Sequence, residues 1–154
     1  MSASDGFSRT VHLTEHDRVI LKGLLPVRFV VEFEDPNSLF PDITAEALRE
    51  AALGTLRAYQ VPIDSSAKDD YFPVLQMRIV AGLSKGQIIW QGWTGLYEQL
   101  ALVRDPGVIL NLLLWTKENR SGAIEGGLPR FAMILAHGFA EQYAEANRTV
   151  AEGS

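Results

Sequence analysis

The chain contains no cysteine. Composition therefore excludes disulfides, a thiolate nucleophile and cysteine-based zinc sites. It also lacks any dense run of lysine and arginine, and its formal net charge is -5. Nucleic-acid binders usually present a basic face, so this balance argues against a phosphate-binding surface and no nucleic acid is expected as a partner. No stretch approaches the roughly 18 consecutive apolar residues of a transmembrane helix. Met1 to Phe7 is small and polar and does not read as a signal peptide. No nucleophile-elbow, phosphate-loop or zincin motif occurs, and no cofactor is expected. Gly122, Gly126 and Gly127 precede a helical stretch, as anion-binding loops do. Pro129 removes one of the N–H donors such a loop needs, and no lysine follows in place, so this reads as a plain loop.

What is present is ordinary for a globular domain: 154 residues, 47% apolar and 21% charged. That length suits one domain able to bury roughly 68–70% of its unfolded surface. Residues 1–20 read as a flexible or partly ordered N-terminal segment, 21–148 as a single α+β domain and 149–154 as a tail. Val11 to Lys22 reads as a loop or short strand.

The chain is organised around a long ribbon from Phe72 to Val103. Leu75, Met77, Ile79 and Ala81 alternate with Gln76, Arg78 and Gly82, which predicts a half-buried strand. Leu83-Ser84-Lys85-Gly86 reads as a tight turn. On the return strand both parities carry large apolar residues. Ile88, Trp90, Thr94 and Leu96 lie on one, and Ile89, Trp93 and Tyr97 on the other. Gly92 and Gly95 mark the expected place of a bulge that would switch faces.

Val27, Phe29, Val31 and Phe33 alternate with Arg28, Val30 and Glu32 and predict a first strand. Thr44 is the expected N-cap of a helix whose stripe is Leu48, Ala51, Ala52, Thr55, Leu56 and Tyr59. Val108 to Thr116 is apolar throughout. Its length and the turn Arg104-Asp105-Pro106-Gly107 before it favour a strand over a helix. Lys117 to Gly127 reads as a loop. A closing helix follows Pro129, with its stripe on Phe131, Leu135, Phe139, Tyr143 and Ala146. The expected fold is α+β: a mostly antiparallel sheet of about four strands with two helices on one face, in the order β-α-β-β-β-α.

A resemblance rests on four stretches. They are Leu21-Lys22-Gly23-Leu24-Leu25-Pro26-Val27-Arg28-Phe29-Val30-Val31-Glu32 before the Thr44-capped helix, Glu98-Gln99-Leu100-Ala101-Leu102-Val103-Arg104-Asp105-Pro106, the Trp115 strand, and Phe139-Ala140-Glu141-Gln142-Tyr143-Ala144-Glu145-Ala146-Asn147. In these the chain resembles uncharacterised bacterial exported proteins similar to the amino-terminal α/β domain of TolB. The resemblance implies an envelope or periplasmic location and a non-catalytic, protein-binding role.

Candidate residues are few. Trp90, Trp93, Tyr97 and Trp115 are the candidate partner-binding residues, against the alternative that the aromatics are core. His12 and His16 are four apart and would share a helical face as weak candidate metal ligands; the bland reading is a solvated polar segment, and no metal site is expected. His137 reads as a boundary histidine. The favoured expectation is a non-enzymatic protein-binding or assembly domain. Its partner is another protein or a second copy paired as a homodimer through a free strand edge. The alternative is a small enzyme or ligand carrier with a pocket between helices and sheet, where Asn111, Arg78, Gln76 or His137 would converge.

Overall fold

The computed structural model describes residues 11–148. The expected tails at 1–10 and 149–154 lie outside them. Seven elements follow in order: α1 (Glu15–Leu21), β1 (Arg28–Glu34), α2 (Ala45–Ala58), β2 (Val74–Ser84), β3 (Gln87–Ala101), β4 (Ile109–Gly122) and α3 (Gly127–Ala146). The class is α+β, with a four-stranded sheet in the order β1-β2-β3-β4. The sheet is mostly antiparallel, as expected: β2–β3 and β3–β4 pair antiparallel, while β1 runs parallel to β2. The helix count is a correction: there is a third helix, α1, where a loop or short strand was expected.

That helix is short and mostly polar, so its apolar periodicity is weak. Its start is nonetheless encoded: the Thr14 hydroxyl accepts from the Asp17 backbone N–H at 3.0 Å, with Glu15 and Asp17 in the positive first turn. Its end is tied to the end of α3. The Asn147 side chain accepts from the Gly23 N–H at 2.8 Å and donates to the Leu21 and Tyr143 carbonyls at 2.9 Å each. One amide thus satisfies orphan groups of two helix termini.

The longer helices pack on one face of the sheet. Thr44 caps α2 through the Ala47 N–H at 3.1 Å, as expected. Its buried stripe is Leu48, Ala52, Leu53 and Leu56. Pro129 falls in the first turn of α3, where its missing N–H costs nothing. Phe131, Leu135 and Phe139 are buried as the periodicity predicts, and Ala132, Ala136 and Ala140 let the helix lie close to its neighbours. From the sheet, Leu75, Met77, Ile79 and Ala81 are all fully buried against them.

The hairpin turn between β2 and β3 is Lys85-Gly86, both with positive φ (53° and 78°). That is the primed two-residue turn whose twist matches the flanking strands. Beyond it β3 runs without interruption opposite β2, from Ser84↔Gln87 to Val74↔Tyr97. The bulge expected at Gly92 and Gly95 is not there. The register slips instead between Leu96 and Tyr97 on the β4 side, where Leu96 pairs with Trp115 and Tyr97 with Leu113. Leu114 is the extra residue. β4 also continues to Gly122 through the stretch expected as a loop. Lys117, Glu118 and Arg120 mislead a composition reading because this half of β4 is a solvated edge.

Candidate functional site

Because β3 keeps its register past both glycines, its two parities stay on opposite faces. Trp90 lies on the helix side, 1% exposed, with its ring centroid 5.8 Å from Phe40 and 5.7 Å from Phe131. Trp115 is also on that side, edge-on to Phe139 at 4.9 Å, and its indole N–H donates to Gln142 at 2.8 Å. Both therefore leave the candidate surface as corrections: the helical layer already covers them. Trp93 and Tyr97 point the other way, onto the sheet face that none of the described helices covers, and both are half-buried.

Cross-strand register lays that open face out as a lattice. One row is Glu32, Arg78, Trp93 and Glu118; the next is Val30, Gln76, Gly95 and Thr116. Arg78 is paired with Glu34, and the Gln76 amide donates to Glu32 at 2.7 Å. Gly95 has no side chain to fill its lattice point, and the Trp93 indole lies down over it. A Cβ there would collide with the Trp93 ring and would come within 2.9 Å of Leu113 Cδ1. Trp93 and Tyr97 are 6.2 Å apart at 56°. The result is a tilted aromatic shelf beside an open depression of about 510 Å³ bordered by Glu32, Gln76, Arg78, Gln91 and Glu118.

The shelf leads onto a projecting arm. β2 pairs with β3 only as far as Tyr97, so residues 98–101 of β3 and 109–112 of β4 extend past the sheet as two strands. By alternation Tyr97, Leu113 and Ile109 share the open face, and Leu100, Leu110 and Leu112 share the helix-side face with Glu98. These aliphatics, with Val103 and Val108 near the tip, are exposed at between 37% and 99%. Trp93, Tyr97, Leu113 and Ile109 thus make one strip from the sheet to the arm.

Burial among these side chains pushes the Glu98 carboxyl above its ordinary value of 4.5. A carboxyl raised on folding binds its proton more tightly in the native chain, so between 4.5 and the raised value stability falls as pH rises. The penalty is full above that window. Glu98→Gln is therefore expected to raise the melting temperature at pH 7, with the gain shrinking towards pH 4. A thermal melt series over pH checks it, and a gain that persists undiminished at pH 4 would refute the cause assigned.

The polar groups expected to share a pocket do not converge. Gln76 and Arg78 line the open face, Asn111 sits in the arm, and His137 lies on α3, on the other side of the sheet. His137 Nε2 is 2.8 Å from the Tyr59 hydroxyl, and Nδ1 is 3.8 Å from Glu141. This line of three groups at the α2–α3 groove was not foreseen, since Tyr59 and His137 are 78 residues apart. A groove of about 370 Å³ beside it is lined by Thr55, Arg130, Met133, Ile134 and His137. His12 precedes the α1 cap, so it does not share a helical face with His16, whose Nε2 is 3.3 Å from the Leu114 carbonyl. Among the described residues no group of three His, Asp or Glu could hold a metal ion, and no helix is long and apolar enough to cross a membrane.

No protein-family model and no curated protein matches the chain. Solved structures similar to it include the PelC dodecamer from Paraburkholderia phytofirmans in two crystal forms. Identity is 13% in both, covering 79% and 80% of this chain and 92% and 90% of PelC, with TM-scores of 0.45 and 0.43. The N-terminal domain of Thermus thermophilus Protein Y matches at 14% identity over 79% of this chain and 98% of that one, with a TM-score of 0.29. The expected TolB likeness is not among these three, and at such values none lends this chain a function.

Proposed function

We propose that the chain is a non-enzymatic protein-binding or assembly domain that engages its partner through the strip from Trp93 and Tyr97 to the β3–β4 arm. The observation that carries this reading is an arm whose large aliphatic side chains are exposed on both faces and join an aromatic shelf. Contiguous apolar patches beyond a few hundred Å² are uncommon on monomers and mark interaction sites. Half-buried tryptophan and tyrosine at the root of the arm supply anchors of the kind that dominate interface energetics. The carboxylates and Arg78 around the shelf form a polar rim.

Affinity capture with the tagged chain tests this, scored by mass spectrometry against Trp93→Ala, Leu113→Ser and a control at exposed Arg57. The reading expects one set of proteins, or the untagged chain itself, retained by wild type and the Arg57→Ala control and lost from both surface variants. Retention by all four proteins would overturn it.

A second reading, a small-ligand site or small enzyme, is favoured by the Tyr59–His137–Glu141 line alone. There the imidazole and the phenol lie within hydrogen-bond distance of each other, with the Glu141 carboxylate 3.8 Å from the second ring nitrogen. Tyr59→Phe would abolish ligand binding or turnover on that reading and leave partner capture untouched on the first.

A further inference from the structure

We propose that the partner is a second copy of this chain, joined by antiparallel pairing of the two β4 edges in the register that sets Asn111 opposite the partner's Asn111. This deepens the protein-binding reading and rests on it. β4 ends the sheet, with one edge on β3 and no strand on the other among the described residues. Free edges are normally guarded by charge or proline. β1 carries Arg28, Glu32 and Glu34, and the far half of β4 carries Lys117, Glu118 and Arg120. Ile109-Leu110-Asn111-Leu112-Leu113 has neither charge nor proline.

Hydrogen-bond phase fixes which groups face outward. The Leu102 N–H donates to the Val108 carbonyl at 3.1 Å. Alternation in an antiparallel ladder then turns the backbone of 110 and 112 towards β3 and that of 109, 111 and 113 towards the free edge. Centred on Asn111, pairing joins 109 to 113 of the copy and 111 to 111, so all three outward residues find partners. The side chains agree. This stretch reads alike in both directions, two aliphatics on either side of one asparagine. Ile109 meets the partner's Leu113, Leu110 meets the partner's Leu112, and the two Asn111 amides face each other, each with donor and acceptor. A shift of two residues either way sets Asn111 against Ile109 or Leu113 and strands its amide on an aliphatic. That palindromic pattern identifies a second copy as the occupant, and a twofold, isologous contact closes on itself and leaves no unguarded edge. The Leu114 bulge ends the paired run.

Sedimentation velocity on the full chain over a wide concentration range tests the register. Wild type is expected as a dimer. Leu110→Lys with Leu112→Lys puts lysine opposite lysine and is expected to raise the dissociation constant by roughly a hundredfold or more. Leu110→Lys with Leu112→Glu puts lysine opposite the partner's glutamate and is expected to restore the dimer. Leu110 and Leu112 are both exposed, and melting curves verify folding. Should the double-lysine chain not fold, Asn111→Leu replaces it: with the central amide gone, register loosens and higher oligomers are expected. A monomeric wild type overturns the pairing, as does a dimer that survives both doubles or a folded Lys/Glu chain that stays monomeric. A monomer that still captures other proteins through Trp93 sinks this proposal and leaves the broader reading standing.

Discussion

Trp90→Ala is expected to cost about 3–5 kcal/mol of stability, the range for removing a large buried aromatic. Against a total of about 5–15 kcal/mol for a native domain, that is enough to unfold much of the chain near 37 °C. Trp90 fills the space between Phe40 and Phe131, beneath α3, and is 1% exposed. Trp93→Ala, three residues on, is expected to cost well under half as much, because the indole lies on the uncovered face. Its effect should appear in association instead. Chemical denaturation of the two variants side by side checks the contrast. Equal losses would mean that the open face is packed as tightly as the core. Trp90→Phe should be milder than its size change suggests. The indole N–H is buried with no hydrogen-bond partner among the described residues, so its removal relieves a desolvation cost.

Gly92→Ala is the second large effect. Gly92 lies on the helix side of β3, and a methyl there would sit 2.5 Å from Leu135 Cδ1 and 2.7 Å from Cδ2. Leu135 is itself 2% exposed, so its side chain would have to change rotamer within the core, or α3 shift, to admit the methyl. Overpacking of this kind typically costs about 1–3 kcal/mol. The loss should be recovered in part by Leu135→Ala, which returns the space. A double-mutant cycle measures the coupling directly, and purely additive losses would mean that the two residues do not compete for one volume. Gly92 therefore serves close packing, not the bulge its composition suggested.

Much of the frame was legible because period marks it. The alternation Leu75-Met77-Ile79-Ala81 gave the buried face of β2, Thr44 gave the start of α2, and Phe131-Leu135-Phe139 gave the face of α3. What misled were stretches where period is silent. From Ile109 to Leu114 only Asn111 interrupts the aliphatics, so no parity shows where a residue is inserted. The bulge at Leu114 therefore has no local signature, whereas the glycines of β3 carry the composition of one. In α1, Glu15-His16-Asp17-Arg18 conceals a helix whose ends are fixed by the Thr14 cap and Asn147 and whose only fully buried side chain is Leu21. The parallel pairing of β1 with β2 is set by the α2 crossover, which no local pattern records.

The candidate surface was half legible. Four aromatics were singled out, and composition has no means of dividing them. Once β3 is known to keep its register, Trp90 and Trp93 must take opposite sides. The arm itself was visible only as greasiness on both parities of one strand. Its meaning came from the end of β2 at Val74↔Tyr97, beyond which β3 and β4 continue with no further strand beside them among the described residues.

Hydrogen exchange of the chain alone and in its complex tests the central claim most directly, whether the complex is with a captured protein or with a second copy. The account predicts that slowed exchange on association is confined to residues 93–113 of β3 and β4, with the α2–α3 groove around Tyr59 and His137 unchanged. Protection at that groove, with 93–113 exchanging as fast as in the free chain, would contradict it.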